Sequence, residues 1–246
     1  MDTDIKKYKI PFVPTDALYP SEDGKPMAAS DRHRNQLFWT LAALKAYFSH
    51  DPSIYISGDI LMYYLQGVPS KSISPDVLVT FDIGMKPRRT YLVWEEGKVP
   101  DFVMEFSSES TYRNDLTDKM DIYASLGIKN YFLYDAENAY LSSQLMGYEL
   151  VDGNYVAISP DENGGIHASS LGLDFRIRNK EIAIFDPVAN DWVRTREEAE
   201  AIRAEAEAIR ADTAETRAAQ EATRAETAEA ENAQLREQLA RLQART

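Results

Sequence analysis

The chain has 246 residues, 44% hydrophobic and 27% charged, which suits one sizeable core with an appendage and an ordinary globular composition. It has no cysteine, which excludes disulfides and thiolate metal sites and predicts a cytoplasmic setting. No apolar run approaches the roughly 18 residues of a membrane span, and Met1-Asp2-Thr3-Asp4 lacks a basic-then-apolar leader pattern. The formal net charge is −13; nine arginines against twelve acids in residues 194–246 account for −3, leaving −10 for residues 1–193. That balance argues against strong non-specific nucleic-acid binding, which needs clustered Lys and Arg to displace counterions.

Residues 1–29 carry Pro11, Pro14, Pro20 and Pro26 and read as an irregular arm. Ser30 is placed to cap a helix over about 31–48, whose Leu37, Leu41, Leu44 and Phe48 share one face. Short strands are predicted at Ile54–Ser57, Ile60–Leu65, Val77–Phe81, Thr90–Glu95 and Phe102–Ser107. Glu95-Glu96-Gly97-Lys98 reads as a hairpin turn joining the last two. A second helix is predicted over about 114–126, with Leu116, Met120 and Tyr123 inward and Gly127 at its C-terminal cap. Tyr131–Asp135 returns as a strand, and residues 140–185 read as further hairpins around Gly153 and Gly164-Gly165. This order predicts an α/β fold with a mixed sheet over residues 30–193.

Composition changes near Trp192. From Thr195 onward there is no Gly, Pro or aromatic residue, and Glu-Ala-Glu-Ala-Ile-Arg-Ala occurs at 198–204 and again at 205–211. Arginines recur at 203, 210, 217 and 224, a seven-residue period that favours a left-handed supercoil. The apolar seam is thin: Ile202 and Ile209 fit one register, Leu235, Leu239 and Leu242 another. Residues 194–246 are therefore either a coiled coil that makes a homodimer or a solvated helix laced with i,i+4 Glu–Arg pairs.

Chemistry concentrates near Phe102–Ser107. Strand alternation puts Asp101, Val103, Glu105 and Ser107 on one face and Phe102, Met104 and Phe106 on the other. Asp101 and Glu105 lie about 13 Å apart along the strand, too far to share one cation. Glu105 has apolar neighbours on both sides, and an unpaired carboxylate there would be costly. Its partner must come from an adjacent strand, and Asp76, after Pro75, is the candidate; Asp76 could equally be a turn residue. Lys119 sits three residues after Leu116 and four before Tyr123, beside the inward stripe, where it either snorkels outward or meets an acid. The three histidines lack zinc-ligand spacing, and there is no Gly-x-Ser-x-Gly elbow or phosphate-binding glycine loop. Lys86-Pro87-Arg88-Arg89 is either a phosphate contact or a solvated loop, and Ser107–Thr111 reads as a strand break leading into the helix.

Several blocks occur together in one order: Ser21-Glu22-Asp23-Gly24-Lys25-Pro26-Met27, Tyr55-Ile56-Ser57-Gly58-Asp59, Ser74-Pro75-Asp76-Val77, Trp94–Asp101, Glu105 with Ser107–Thr111, and Asp118-Lys119 with Tyr123. Over roughly residues 15–190 this resembles the Uma-type "putative restriction endonuclease" family. The resemblance implies a PD-(D/E)xK nuclease-like core with a Mg²⁺-dependent (or Mn²⁺-dependent) phosphodiesterase site. It matches Asp76 to the family's Pro-Asp acid and Glu105 to its strand acid, both as metal ligands and catalytic groups. The superfamily's lysine position, two residues after Glu105, is Ser107 here; Lys119 on the following helix supplies the displaced positive charge in this reading. The expectation is a Mg²⁺-dependent endonuclease acting on DNA, dimeric through its tail and without a membrane partner. The rival is an inactive nuclease-like module that recruits a protein partner through the coiled coil.

Overall fold

The computed structural model describes Tyr19 and residues 30–243. The rest of the expected N-terminal arm, including the Ser21–Met27 block, lies outside the described residues. The chain divides after Thr195 into two units.

The first unit is built on a six-stranded mixed sheet. Its strands are β1 (Tyr55–Ser57), β4 (Val77–Thr80), β6 (Phe102–Phe106), β7 (Asn130–Tyr134), β8 (Leu145–Val151) and β9 (Asn154–Ala157), in that spatial order. Only β6 and β7 run parallel; every other pair in the sheet is antiparallel. Both faces are covered, so β4, β6 and β7 are buried at every position and mostly apolar, with Thr80, Glu105 and Asn130 the polar exceptions. On one face Phe102, Met104 and Phe106 meet helix α1 (Asp31–Tyr47) and a second sheet of β10 (Ile166–Ala168), β11 (Leu173–Arg178), β12 (Glu181–Asp186) and β13 (Asp191–Trp192). Ser30 caps α1, its Oγ accepting the His33 N–H at 3.1 Å, and Leu37, Leu44 and Phe48 enter the core. On the other face Val103 and Leu133 pack with Tyr123 and with a small sheet of β2 (Met62–Tyr63), β3 (Ser72–Ile73) and β5 (Tyr91–Leu92).

Three local expectations are corrected. The strand predicted over Thr90–Glu95 is only Tyr91–Leu92, followed by a helical turn α2 (Val93–Glu96) closed by left-handed Gly97. It forms no hairpin with β6; β5 pairs parallel with β2, and β6 pairs antiparallel with β4. An ion pair is part of the reason: Arg88 donates from Nε and Nη2 to both oxygens of Glu96 at 2.7 and 2.8 Å and lies over the Tyr55 ring. This fixes Glu96 inward, and it means Arg88 is neither a solvated loop residue nor free for phosphate; its side chain is 2% exposed. The helix predicted over 114–126 is two, α3 (Tyr112–Asp115) and α4 (Asp118–Leu126), broken at Thr117. Thr117 leaves helical geometry at φ −128°, ψ −92°, and its hydroxyl donates to the Arg113 carbonyl at 2.7 Å.

The second unit is one helix, α5 (Arg196–Gln243), of 48 residues. Ile202, Ile209, Leu235 and Leu239 are all exposed on it, and an Arg217–Glu221 pair at 3.1 Å spans one turn. Among the described residues no helix is long and apolar enough to cross a membrane.

Candidate active site

The β4–β6 register ends at Val77 opposite Met104, and one further residue sets Asp76 opposite Glu105. Their backbones lock the pair. The Phe106 N–H donates to Asp76 Oδ2 at 2.6 Å, and the Asp76 N–H points at Glu105 Oε2 at 3.4 Å. A tight approach from the turn after β1 fixes where Asp76 sits. The Asp59 N–H donates to the Pro75 carbonyl at 3.0 Å, and a Cβ on Gly58 would overlap the Asp76 carbonyl oxygen. Only glycine fits there.

Helix α4 delivers the cation. Lys119 Nζ lies 2.8 Å from Glu105 Oε2 and 3.1 Å from Asp115 Oδ1. One turn on, Tyr123 donates its hydroxyl to Glu105 Oε1 at 2.6 Å. Ser107, immediately past β6, donates Oγ to Asp115 Oδ2 at 3.0 Å, and Tyr131 donates to the Asp115 carbonyl at 2.8 Å. Glu105, Ser107 and Asp115 are all buried.

Asp76, Glu105 and Lys119 thus converge, while Asp101 turns away to accept the Phe81 N–H and pair with Lys98. Asp115 and Tyr123 as a site residue were missed from the sequence. The signal for both was spacing, since each is four residues from Lys119. Ser107 does more than break the strand; it holds Asp115.

The electrostatics are unbalanced. Asp76, Glu105 and Asp115 set three carboxyl groups against one ammonium in a poorly hydrated place. Burial, and next the Glu105 charge, push the Asp76 carboxyl well above the usual carboxylate range. Burial also raises Glu105, against the opposing pull of Lys119 and the Tyr123 hydroxyl. Burial alone would lower Lys119, but Glu105, Asp115 and Asp76 outweigh it and hold its ammonium charged. Asp59, at the site's edge, is raised by burial and pulled back by Lys119.

These residues fit a hard divalent cation. One such ion would favour the ionised forms of Asp76 and Glu105, and carboxylate oxygens are its preferred ligands. Among the described residues no group of three His, Asp or Glu side chains is arranged to hold a metal. Two carboxylates suit Mg²⁺, which keeps several of its waters. Beside Ser107 opens a polar cleft of about 360 Å³, lined also by Ser30, His33, Glu137 and Tyr140. His33 is held below its ordinary pKa, chiefly by burial.

The family model Uma2, described as "Putative restriction endonuclease", matches residues 20–197. No curated protein matches the sequence. Among solved structures, the chain is similar to one described as a putative nuclease belonging to DUF820 from Anabaena variabilis ATCC 29413. That likeness has 13% identity and a TM-score of 0.45 over 61% of this chain and 81% of the other, too distant to carry an argument.

Proposed function

This chain belongs to the Uma2 family, described as "Putative restriction endonuclease", and on that premise we propose that it is a Mg²⁺- or Mn²⁺-dependent endonuclease that hydrolyses DNA phosphodiester bonds. The observation that carries the reading is the meeting of Asp76 and Glu105 on adjacent strands beside Lys119. Asp76 and Glu105 would hold the ion, which when bound acidifies a water and offsets charge on the scissile phosphate. Tyr123 fixes the Glu105 carboxylate through Oε1 and leaves Oε2 facing Asp76. Lys119, kept protonated, serves as the positive group that stabilises the extra charge on the pentacoordinate phosphate and orients the attacking water. Hydrolysis adds one water across the ester: a new phosphorus–oxygen bond forms, the bond to the leaving sugar oxygen breaks, and that oxygen is protonated.

The test is incubation of the purified protein with supercoiled plasmid and Mg²⁺ or Mn²⁺. Nicking is expected, with loss in both Asp76→Asn and Glu105→Gln. Nicking that persists unchanged in both variants refutes the assignment.

A second reading is favoured by one observation, the net charge of −13, which disfavours a polyanionic substrate. In it the same core is an inactive module, and the helical tail recruits a protein partner. It predicts no cleavage under any divalent ion.

A further inference from the structure

Glu105 has two oxygens, and the one that faces Asp76 is already covered. Oε1 is taken by the Tyr123 hydroxyl, while Oε2 is the oxygen near the Asp76 N–H and the one that Lys119 Nζ contacts at 2.8 Å. A cation shared by Asp76 and Glu105 through Oε2 competes with the ammonium for that oxygen. Two positive groups on one oxygen also repel strongly in a buried setting.

A second acceptor lies next door. Asp115 is 1% exposed, and its Oδ1 already pairs with Lys119 Nζ at 3.1 Å, an ion-pair contact that is not a formed hydrogen bond. The opposite oxygen, Oδ2, is pinned by Ser107 Oγ at 3.0 Å, which keeps Oδ1 turned towards the ammonium. A buried carboxylate oxygen that has an ion pair but no well-formed hydrogen bond gains by a closer approach of the same donor. Lys119 has three donors and a short swing to make.

We infer that Asp115, held by Ser107, is a positioning residue that receives the Lys119 ammonium when a divalent cation occupies Glu105, so that the lysine yields its place yet stays beside the reacting phosphate. This rests on the reading of Asp76 and Glu105 as cation ligands. Lys119 is then both a counter-ion that keeps the empty site from repelling itself and the positive group of the loaded site. Asp115 is what lets one side chain do both.

The experiment is Mn²⁺ binding, followed by electron paramagnetic resonance of the free ion, on the full chain and on Asp115→Asn, Lys119→Gln and the double variant. Asp115→Asn is expected to weaken Mn²⁺ by about tenfold in the wild-type background, the size common for a residue that orients a metal site. With Lys119→Gln already present, the same change should alter affinity less than about twofold, because no ammonium needs a second place. Ser107→Ala, which changes no charge, should weaken Mn²⁺ in the same Lys119-dependent way and covers the case in which Asp115→Asn does not fold. Equal weakening with and without Lys119 would mean that Asp115 acts only through its charge, and it overturns the inference. So does Mn²⁺ binding that is unchanged in both Asp115→Asn and Ser107→Ala, while leaving the cation site intact. Failure of the wild-type chain to bind Mn²⁺ overturns the cation reading itself, and the inference with it.

Discussion

Gly58 offers the sharpest perturbation of the site that touches none of its charged groups. The turn that carries it packs against the chain at Pro75–Asp76, and an added methyl would overlap the Asp76 carbonyl oxygen and press on Leu41 Cδ1. The obstacle is backbone, so no rotamer change relieves it; the built Cβ stands 2.1 Å from that oxygen, and the two segments must part by more than about 1 Å to reach ordinary contact. Overpacking of this kind costs about 1–3 kcal/mol. In a core of this size that lowers the melting temperature by about 2–12 °C, at about 2–4 °C per kcal/mol. The displacement falls on Asp76, whose carboxylate bonds the Phe106 N–H at 2.6 Å, so the pairing with Glu105 is lost as well. A 1 Å error in a reacting constellation costs about 100-fold in rate. Thermal unfolding and plasmid nicking of Gly58→Ala measure the two effects. A variant with wild-type stability and wild-type nicking refutes the claim that this contact sets the position of Asp76.

Tyr123→Phe removes the hydroxyl that donates to buried Glu105 Oε1. A hydrogen bond to a charged group contributes about 1.5–3 kcal/mol, so chemical denaturation should register a loss of that size, and an unchanged midpoint would contradict the assigned bond. The pH dependence has a definite sign. Asp76 and Glu105 hold their protons more tightly when folded than at their ordinary values of 3.8 and 4.5. The folded state therefore binds more protons than the unfolded one above those values, and the pair's contribution to stability falls as pH rises from about 4 to the raised folded values. Without divalent ions, Asp76→Asn should flatten that fall relative to wild type; parallel stability curves would contradict it. Truncation after Thr195 should leave the unfolding temperature of the first unit unchanged and convert a dimer to a monomer by light scattering. An unchanged mass per particle would refute tail-driven dimerisation.

What the sequence conveyed depended on how local each signal was. Ser30 as a cap, the apolar face of α1 and the strands β4, β6 and β7 follow from short-range pattern, and the structure has them. Glu105 stood out because a carboxylate among Phe, Val and Met demands a reason, and Asp76 because strand geometry excluded Asp101. The hairpin before β6 was misread because Glu95-Glu96-Gly97-Lys98 has turn chemistry whether it reverses a strand or closes a helical turn. A long-range partner, Met62–Tyr63, decides the matter. Arg88 was misread for a related reason: Tyr55, on which it lies, is 33 residues away. Asp115 was missed although it stands four residues before Lys119, because residues 114–126 were read only for their apolar stripe. The break at Thr117 does not part the two, and Ser107 at the end of β6 holds the other Asp115 oxygen.

The central claim is that Asp76 and Glu105 together form a seat for one divalent cation. Thermal unfolding of the wild-type chain and of Glu105→Ala with and without Mn²⁺ tests it without requiring any substrate. At 100-fold over its dissociation constant a ligand specific to the folded state adds about 2.7 kcal/mol. The wild-type melting temperature should therefore rise by about 5–10 °C, and that of Glu105→Ala should not move. A wild-type chain indifferent to Mn²⁺, or a Glu105→Ala chain stabilised just as much, would contradict the account.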